Sequence, residues 1–170
     1  MPSVTYHNQP AIAATHGKIP LEGTKRPYTV RALLWPEDVE RWIAARLIGV
    51  SLHVCCGKSQ LGTYRVDMNE PAHVRADAAK LPFRDRAVDT VLIDPPYNGV
   101  FQWNHDMLSE LARVARQRII FQHWFTPVDK DGRFKKAHRF QLVDLALWQP
   151  RTYFGRAQVI TVMDETQAGL

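Results

Sequence analysis

The chain has 170 residues, 45% of them apolar, and a formal net charge of +5. That suits one domain with a sizeable core and leans mildly toward an anionic partner such as nucleic acid. No apolar run approaches the ~20 residues of a membrane span, and the N-terminus lacks a signal-peptide layout. The two cysteines, Cys55 and Cys56, are adjacent. They offer no disulfide framework and match no metal-ligand spacing, so no metal is expected and a reducing cytoplasm is the expected location.

Residues 1–34 are small, polar and proline-dotted. They read as an N-terminal arm preceding a single domain at 35–170. Lys25, Arg26 and Arg31 beside Tyr28 suit either a nucleic-acid-facing arm or a solvated linker, the latter being the commoner use of such charge. Trp35-Pro36-Glu37-Asp38 reads as a helix start, with proline near the first turn and acids favoured by the helix dipole. Val39, Trp42, Ile43 and Leu47 recur near helical spacing, and Gly49 fits the stop. Trp42 reads as core.

Ser51–Cys55 is the first core strand. It runs into the loop Cys56-Gly57-Lys58-Ser59-Gln60-Leu61-Gly62, where glycine lets a ligand approach the backbone. A phosphate-binding P-loop would need a glycine five residues before Gly57, and Leu52 stands there. Thr63–Asp67 is the second strand and ends in an acid. In nucleotide-binding α/β folds such an acid accepts hydrogen bonds from ribose hydroxyls; the bland alternative is a cap on the following loop. His73–Ala76 is a brief third strand, followed by Asp77-Ala78-Ala79-Lys80-Leu81-Pro82-Phe83.

Val88–Ile93 is a β-branched apolar run too short for a helix, the pattern of a strand buried on both faces. It stops at Asp94-Pro95-Pro96-Tyr97. The prolines fix φ twice and remove two backbone donors, so strand and helix both end there. The turn falls at the carboxyl end of a strand, where open α/β sheets bind ligands. It offers a carboxylate, carbonyls without ladder partners and an aromatic ring. Those groups suit an exocyclic amine on a base: Asp94 and the carbonyl after it accept two N–H donors, and Tyr97 stacks on the ring.

Asn98–Trp103 reads as a loop able to close over such a base, and Asn104–Arg116 as a helix. Arg118–Phe121 is the fifth strand, with Gln122-His123-Trp124-Phe125 at its carboxyl end. His123 suits either base contact and proton handling or a structural role. Trp124 and Phe125 suit stacking on a flipped base. Asp129–Arg139 carries five basic residues around Phe134, and Lys135 and Lys136 are its candidates for phosphate contact, a solvated loop being the alternative. Phe140–Gln149 and Ala157–Met163 are the last two strands.

Taken in order, the glycine loop, Asp67, Asp77 and DPPY resemble the amino-methyltransferases of the DPPY type. These are class I S-adenosylmethionine (SAM)-dependent enzymes that methylate adenine N6 or cytosine N4. The resemblance covers about residues 51–122. It implies a single Rossmann-like α/β domain with a mostly parallel sheet, a C-terminal antiparallel hairpin and truncated early helices. It implies SAM held by Cys55, Cys56, Gly57, Asp67, Asp77, Ala78 and Asp94. Asp67 would grip the ribose, Asp77 the adenine amine, and Ala78 the ring through its backbone, with Leu81 and Phe83 walling the adenine. Asp94, Pro95, Pro96 and Tyr97 would carry the transfer, and Tyr97, Asn98, His123, Trp124, Lys135 and Lys136 the substrate. The chain departs from the family pattern at the first strand, where Ser51 and His53 replace an acid, and in the short interval to the second.

The implied reaction is direct displacement on an oriented amine, catalysed by positioning and electrostatics. No Pro-Cys nucleophile is present, which excludes cytosine C5 chemistry. The implied partner is nucleic acid, DNA more than RNA. RNA guanine-N2 methylation, methylation of a protein glutamine or a small molecule, and a silent SAM- or nucleic-acid-binding subunit remain alternatives. The small size points to loose specificity, a homodimer or a partner subunit.

Overall fold

The computed structural model describes residues 3–6 (backbone only), 35–95, 105–123, 139–148 and 158–166. The strands are β1 (Ser3–Tyr6), β2 (Ser51–Val54), β3 (Tyr64–Asp67), β4 (Val74–Arg75), β5 (Val88–Ile93), β6 (Ala115–His123), β7 (Phe140–Trp148) and β8 (Gln158–Glu165). The described helices are α1 (Glu37–Ala44) and α2 (His105–Val114). The strands form one eight-stranded sheet in the order β1-β7-β8-β6-β5-β2-β3-β4. Only β8 runs against its neighbours β6 and β7. The expected α/β domain with a closing antiparallel pair is therefore present. Four residues of the expected N-terminal arm add an eighth strand, parallel to β7.

β5 and β2 sit centrally, and every residue of both is buried. Side chains alternate between the faces. Leu52, Val54, Val91, Ile93, Ile119 and Phe121 meet Met107, Leu108 and Leu111 of α2 on one face. Leu92, Ile120, Ile160 and Val162 meet Trp35, Val39, Trp42 and Ile43 of the α1 region on the other. Trp42 is core, as its spacing predicts, and the Arg46 guanidinium lies 3.5 Å over its ring.

The early connections are short. Residues 55–63 join β2 to β3 and residues 68–73 join β3 to β4, both under the dozen or so that a helical crossover needs. The sequence of β3 and β4 accounts for this. Register places His53 beside Arg65 and Asp67 beside Arg75, so Arg65, Asp67 and Arg75 share the α1 face. That flank carries charge rather than an apolar stripe, and no helix is required to cover it.

At the amino-terminal end of the sheet, acids and arginines interlock. Arg116 meets Asp89 at 2.6 Å, Arg86 meets Glu165 at 2.6 Å, and Arg118 forks onto Asp164 at 2.6 and 2.7 Å. Gly49, at φ +56°, packs so closely there that a Cβ would lie 2.2 Å from Asp89 Oδ2. Helix α2 passes into β6 with no linker, Val114 being helical and Ala115 already paired with Val88. Arg139 donates to the carbonyls of Ala112 and Ala115, which this abrupt change leaves outside the helix ladder.

Candidate cofactor and catalytic site

β2 ends because Cys55 turns to φ +55°. A non-glycine residue in that region costs on the order of 1 kcal/mol and is held by its surroundings. Just past the turn, Cys56 N–H donates to the Val66 carbonyl of the parallel neighbour β3 at 3.2 Å. Gly57 follows at φ +52°, and its N–H donates to Asp67 Oδ2 at 2.9 Å. The other oxygen, Asp67 Oδ1, accepts Asn69 N–H at 2.8 Å and Glu70 N–H at 3.0 Å. Asp67 thus ties the glycine loop to the end of β3. Burial works against its charge, but the Glu70, Asn69, Gly57 and Met68 N–H groups outweigh it and hold the carboxyl below its usual range.

Asp77 follows β4, and its Oδ1 accepts Ala79 N–H at 2.9 Å. Ala78 and Leu81 are buried, and Phe83 is half-buried. Asp94, half-buried, follows β5 and donates its N–H to the Val54 carbonyl at 3.4 Å, which sets it beside the start of the glycine loop. Pro95 behind it is buried. The three acids follow the carboxyl ends of β3, β4 and β5. Burial, then the charges of Asp67, Asp94, Cys56 and Asp77, push the Cys55 thiol far above its ordinary value. Cys55 therefore stays protonated at the end of β2.

Cys55, Cys56, Gly57, Asp67, Asp77, Ala78, Asp94 and Pro95 all lie at the carboxyl ends of β2 to β5. His123 is the last residue of β6, not part of a projecting loop. It is 1% exposed, stacks 6.0 Å from Phe121, and burial lowers its pKa to about 4, which leaves the ring neutral at physiological pH. Pro96, Tyr97, Asn98, Trp124, Phe125, Lys135 and Lys136 lie outside the described residues.

Two features escaped the sequence reading. His53 is wholly buried, stacked at 5.3 Å on Trp35, and burial lowers its pKa to about 4. Trp35 Nε1–H in turn donates to Gln122 Oε1 on β6. Alternation within Ser51–Val54 was the available signal, since His53 must face away from Leu52 and Val54.

No protein-family model and no curated protein sequence matches the chain. Solved structures do. A SAM-dependent methyltransferase of Methanosarcina mazei aligns with 78% of this chain and 98% of its own, at 13% identity and TM-score 0.54. The 1,6-didemethyltoxoflavin-N1-methyltransferase of Burkholderia thailandensis, solved with its substrate and S-adenosylhomocysteine, aligns over 77% and 78%, at 14% identity and TM-score 0.54. A putative methyltransferase in complex with the Haloferax volcanii Trm112 activator aligns over 77% and 90%, at 12% identity and TM-score 0.52. The chain has the fold of class I SAM-dependent methyltransferases. Among the described residues no helix is long and apolar enough to cross a membrane.

Proposed function

We propose that this chain is a SAM-dependent methyltransferase acting on an exocyclic amine of a nucleic-acid base, adenine N6 or cytosine N4, in DNA more than RNA. The observation that carries the reading is Asp94. It is the acid that ends the central buried strand, it stands beside the glycine loop through Val54, and Pro95 follows it.

The acids at the carboxyl ends of β3 to β5 suit the cofactor. SAM is a cation at sulfur, and Asp67, Asp77 and Asp94 supply a negative rim. Asp67 accepts from the Gly57, Asn69 and Glu70 N–H groups at 2.8–3.0 Å, and a ribose hydroxyl would share its remaining acceptor capacity with the Met68 N–H. Asp77 suits the adenine amine, and Ala78, Leu81 and Phe83 the ring. The cofactor supplies an electrophilic methyl. This chain's residues do the rest: Asp94 and the Pro95 carbonyl accept the two N–H groups of the target amine and turn its lone pair toward the methyl. A carboxylate there also steadies positive charge as it grows on nitrogen. Tyr97, next along the chain, is the candidate for stacking on the base.

Charge supports a polyanionic substrate. Lys58 on the glycine loop and Arg65 and Arg75 on the uncovered flank form no ion pair with any described residue, and the whole chain is +5. A homodimer or an activator subunit would add contact area to so small a domain; one structural neighbour was solved with such an activator.

The test is calorimetric titration of SAM, followed by labelled-methyl transfer to DNA, RNA and free nucleosides. Micromolar SAM binding with label entering DNA at an amino group is the expected result. Label entering RNA guanine, or a small-molecule amine only, would replace the substrate and keep the chemistry. Absence of SAM binding by the wild type would sink the reading.

A further inference from the structure

Most of the described arginines are neutralised. Arg41, Arg46, Arg86, Arg113, Arg116, Arg118 and Arg139 each meet a carboxylate at 2.6–3.5 Å. The flank formed by β3 and β4 departs from this pattern. Arg75, exposed on β4, and Lys58, exposed on the glycine loop, make no side-chain hydrogen bond or ion pair with any described residue. Arg65, half-buried on β3, makes one, from Nη1 to the Ser59 carbonyl at 3.4 Å. An acid for Arg75 stands in register, because Asp67 is its neighbour across the β3–β4 pair. The Asp67 carboxylate turns instead to the N–H groups of Gly57, Asn69 and Glu70. Three cations therefore stand on this flank with their charge uncommitted.

They are gathered in one place. Arg65 and Arg75 share the α1 face of adjacent strands and lie one diagonal apart, about 7–8 Å, a span comparable with the gap between successive phosphates of one nucleic-acid strand. The Ser59 contact brings the Arg65 guanidinium to the residue after Lys58. Neither β3 nor β4 contributes a residue to the apolar cluster under α1, so that helix leaves this face uncovered. Strand β4 is two residues long and pairs only with Val66 and Asp67, so the outer edge of β3 is open beside Tyr64. Tyr64 is 48% exposed and meets the His73 ring edge-on at 6.3 Å. It leaves β3 on the face opposite Arg65, and a polymer with its phosphates on the arginines reaches this ring by folding a base over the edge. Only an unpaired base has a ring face to offer there.

We propose that the β3–β4 flank, through Lys58, Arg65, Arg75 and Tyr64, binds the phosphodiester backbone of single-stranded nucleic acid. This deepens the reading of a nucleic-acid substrate and rests on it for its purpose. β3 and β4 lie two and three strands from β5 in the sheet, roughly 10 and 14 Å. The phosphates held there belong to nucleotides flanking the target, not to the target itself.

The test is fluorescence anisotropy of a labelled oligothymidylate of about 15 nucleotides, titrated without SAM across a salt series. The triple variant Lys58→Gln, Arg65→Gln, Arg75→Gln is expected to weaken binding at least about tenfold at low salt. It should also lessen the slope of log affinity against log salt by about 2, since a single strand gives about 0.7 per phosphate contact. Tyr64→Ala is expected to cost about tenfold with the slope kept. Arg41→Gln removes one charge from the exposed outer side of α1, as Arg75→Gln does from the flank, and is expected to change neither quantity. The pair Lys58→Gln, Arg75→Gln alters only exposed side chains without hydrogen bonds, and reads the surface if the triple variant does not fold. Wild-type affinity and slope in the triple variant, or equal effects of Arg41→Gln and Arg75→Gln, would overturn the proposal. So would polyglutamate competing as well as the oligonucleotide, or an oligonucleotide that the wild type does not bind. No methyl transfer is read, so a protein that binds the strand but methylates nothing sinks the catalytic reading and leaves this surface standing.

Discussion

At the amino-terminal end of the sheet, carboxylates meet arginines: Asp89 with Arg116, Glu165 with Arg86, Asp164 with Arg118. At the carboxyl-terminal end, carboxylates meet backbone N–H groups: Asp67 takes Gly57, Asn69 and Glu70, and Asp77 takes Ala79. The cations at that end, Lys58, Arg65 and Arg75, pair with no described acid. The two ends spend the same residue types differently. Mutual neutralisation fixes the strands to one another and leaves little for a ligand. The N–H groups on Asp67 outweigh its burial and hold its carboxyl below the usual range without a cation beside it. On the proposed function, acids serve stability at one end and are left for a ligand at the other, the carboxyl edge where open α/β sheets bind ligands.

Substitutions should separate the two ends. Asp94→Ala is expected to cut methyl transfer by about 10²–10³-fold, the size of losing one preorganised polar group, with cofactor affinity changing far less. Single-turnover transfer and calorimetry read the two quantities apart. Gly49→Ala is the counterpart at the amino end. It adds the strain of a positive φ to a collision with the Asp89 carboxylate, and a loss of about 2–4 kcal/mol is expected in urea unfolding, with SAM affinity per folded molecule unchanged. Equal effects of both substitutions on binding and on stability would erase the distinction.

Acid should sharpen the comparison from inside the sheet. His53 and His123 have folded pKa values near 4, below the 6.5 of the unfolded chain. Between those values the unfolded state binds more protons. Their contribution is therefore complete above about pH 6.5 and is lost as pH falls toward 4, at about 1.4 kcal/mol per pH unit for each ring. Urea midpoints across this range test the slope, and His53→Leu should flatten it. The mildest effect concerns Cys55. Native protein at pH 8 should alkylate there at least about tenfold more slowly than a free cysteine, and at ordinary speed once unfolded. Rapid native labelling would contradict the burial that holds Cys55 protonated.

Much of this was legible in the chain. Val88–Ile93 declared itself as a doubly buried strand, and the sequence placed Asp67 and Asp94 at the carboxyl ends of β3 and β5, where the structure has them. The helix at 105–114 followed from its apolar spacing. Other features depend on distant partners and leave no local trace. Ser3–Tyr6 alternates Val4 and Tyr6 with Ser3 and Thr5, but four residues in a proline-dotted arm are too short a signal to read, and pairing with β7 makes them a strand. Arg113 looks like a cation placed to suit a helix dipole, yet its partners lie on a loop some thirty residues earlier in the sequence. His53 reads as a polar break in a strand, and becomes a core ring only because Trp35 arrives to cover it. The short crossover after β2 was visible as a departure, but its reason, a charged flank, required the register of β3 and β4.

The missing linker between Val114 and Ala115 bears on how this chain tolerates changes in length. A residue added in a surface connection is absorbed by slack. One added between α2 and β6 has two outlets. It turns the helix by about 100° relative to the strand, which swings Glu110 and Arg113 off Leu81. Otherwise it slips β6 by one place, which exchanges Ile120 with Phe121 and turns the core inside out. Variants of this sequence should therefore vary in length at many positions, and hold a constant count of residues from Glu110 to His123.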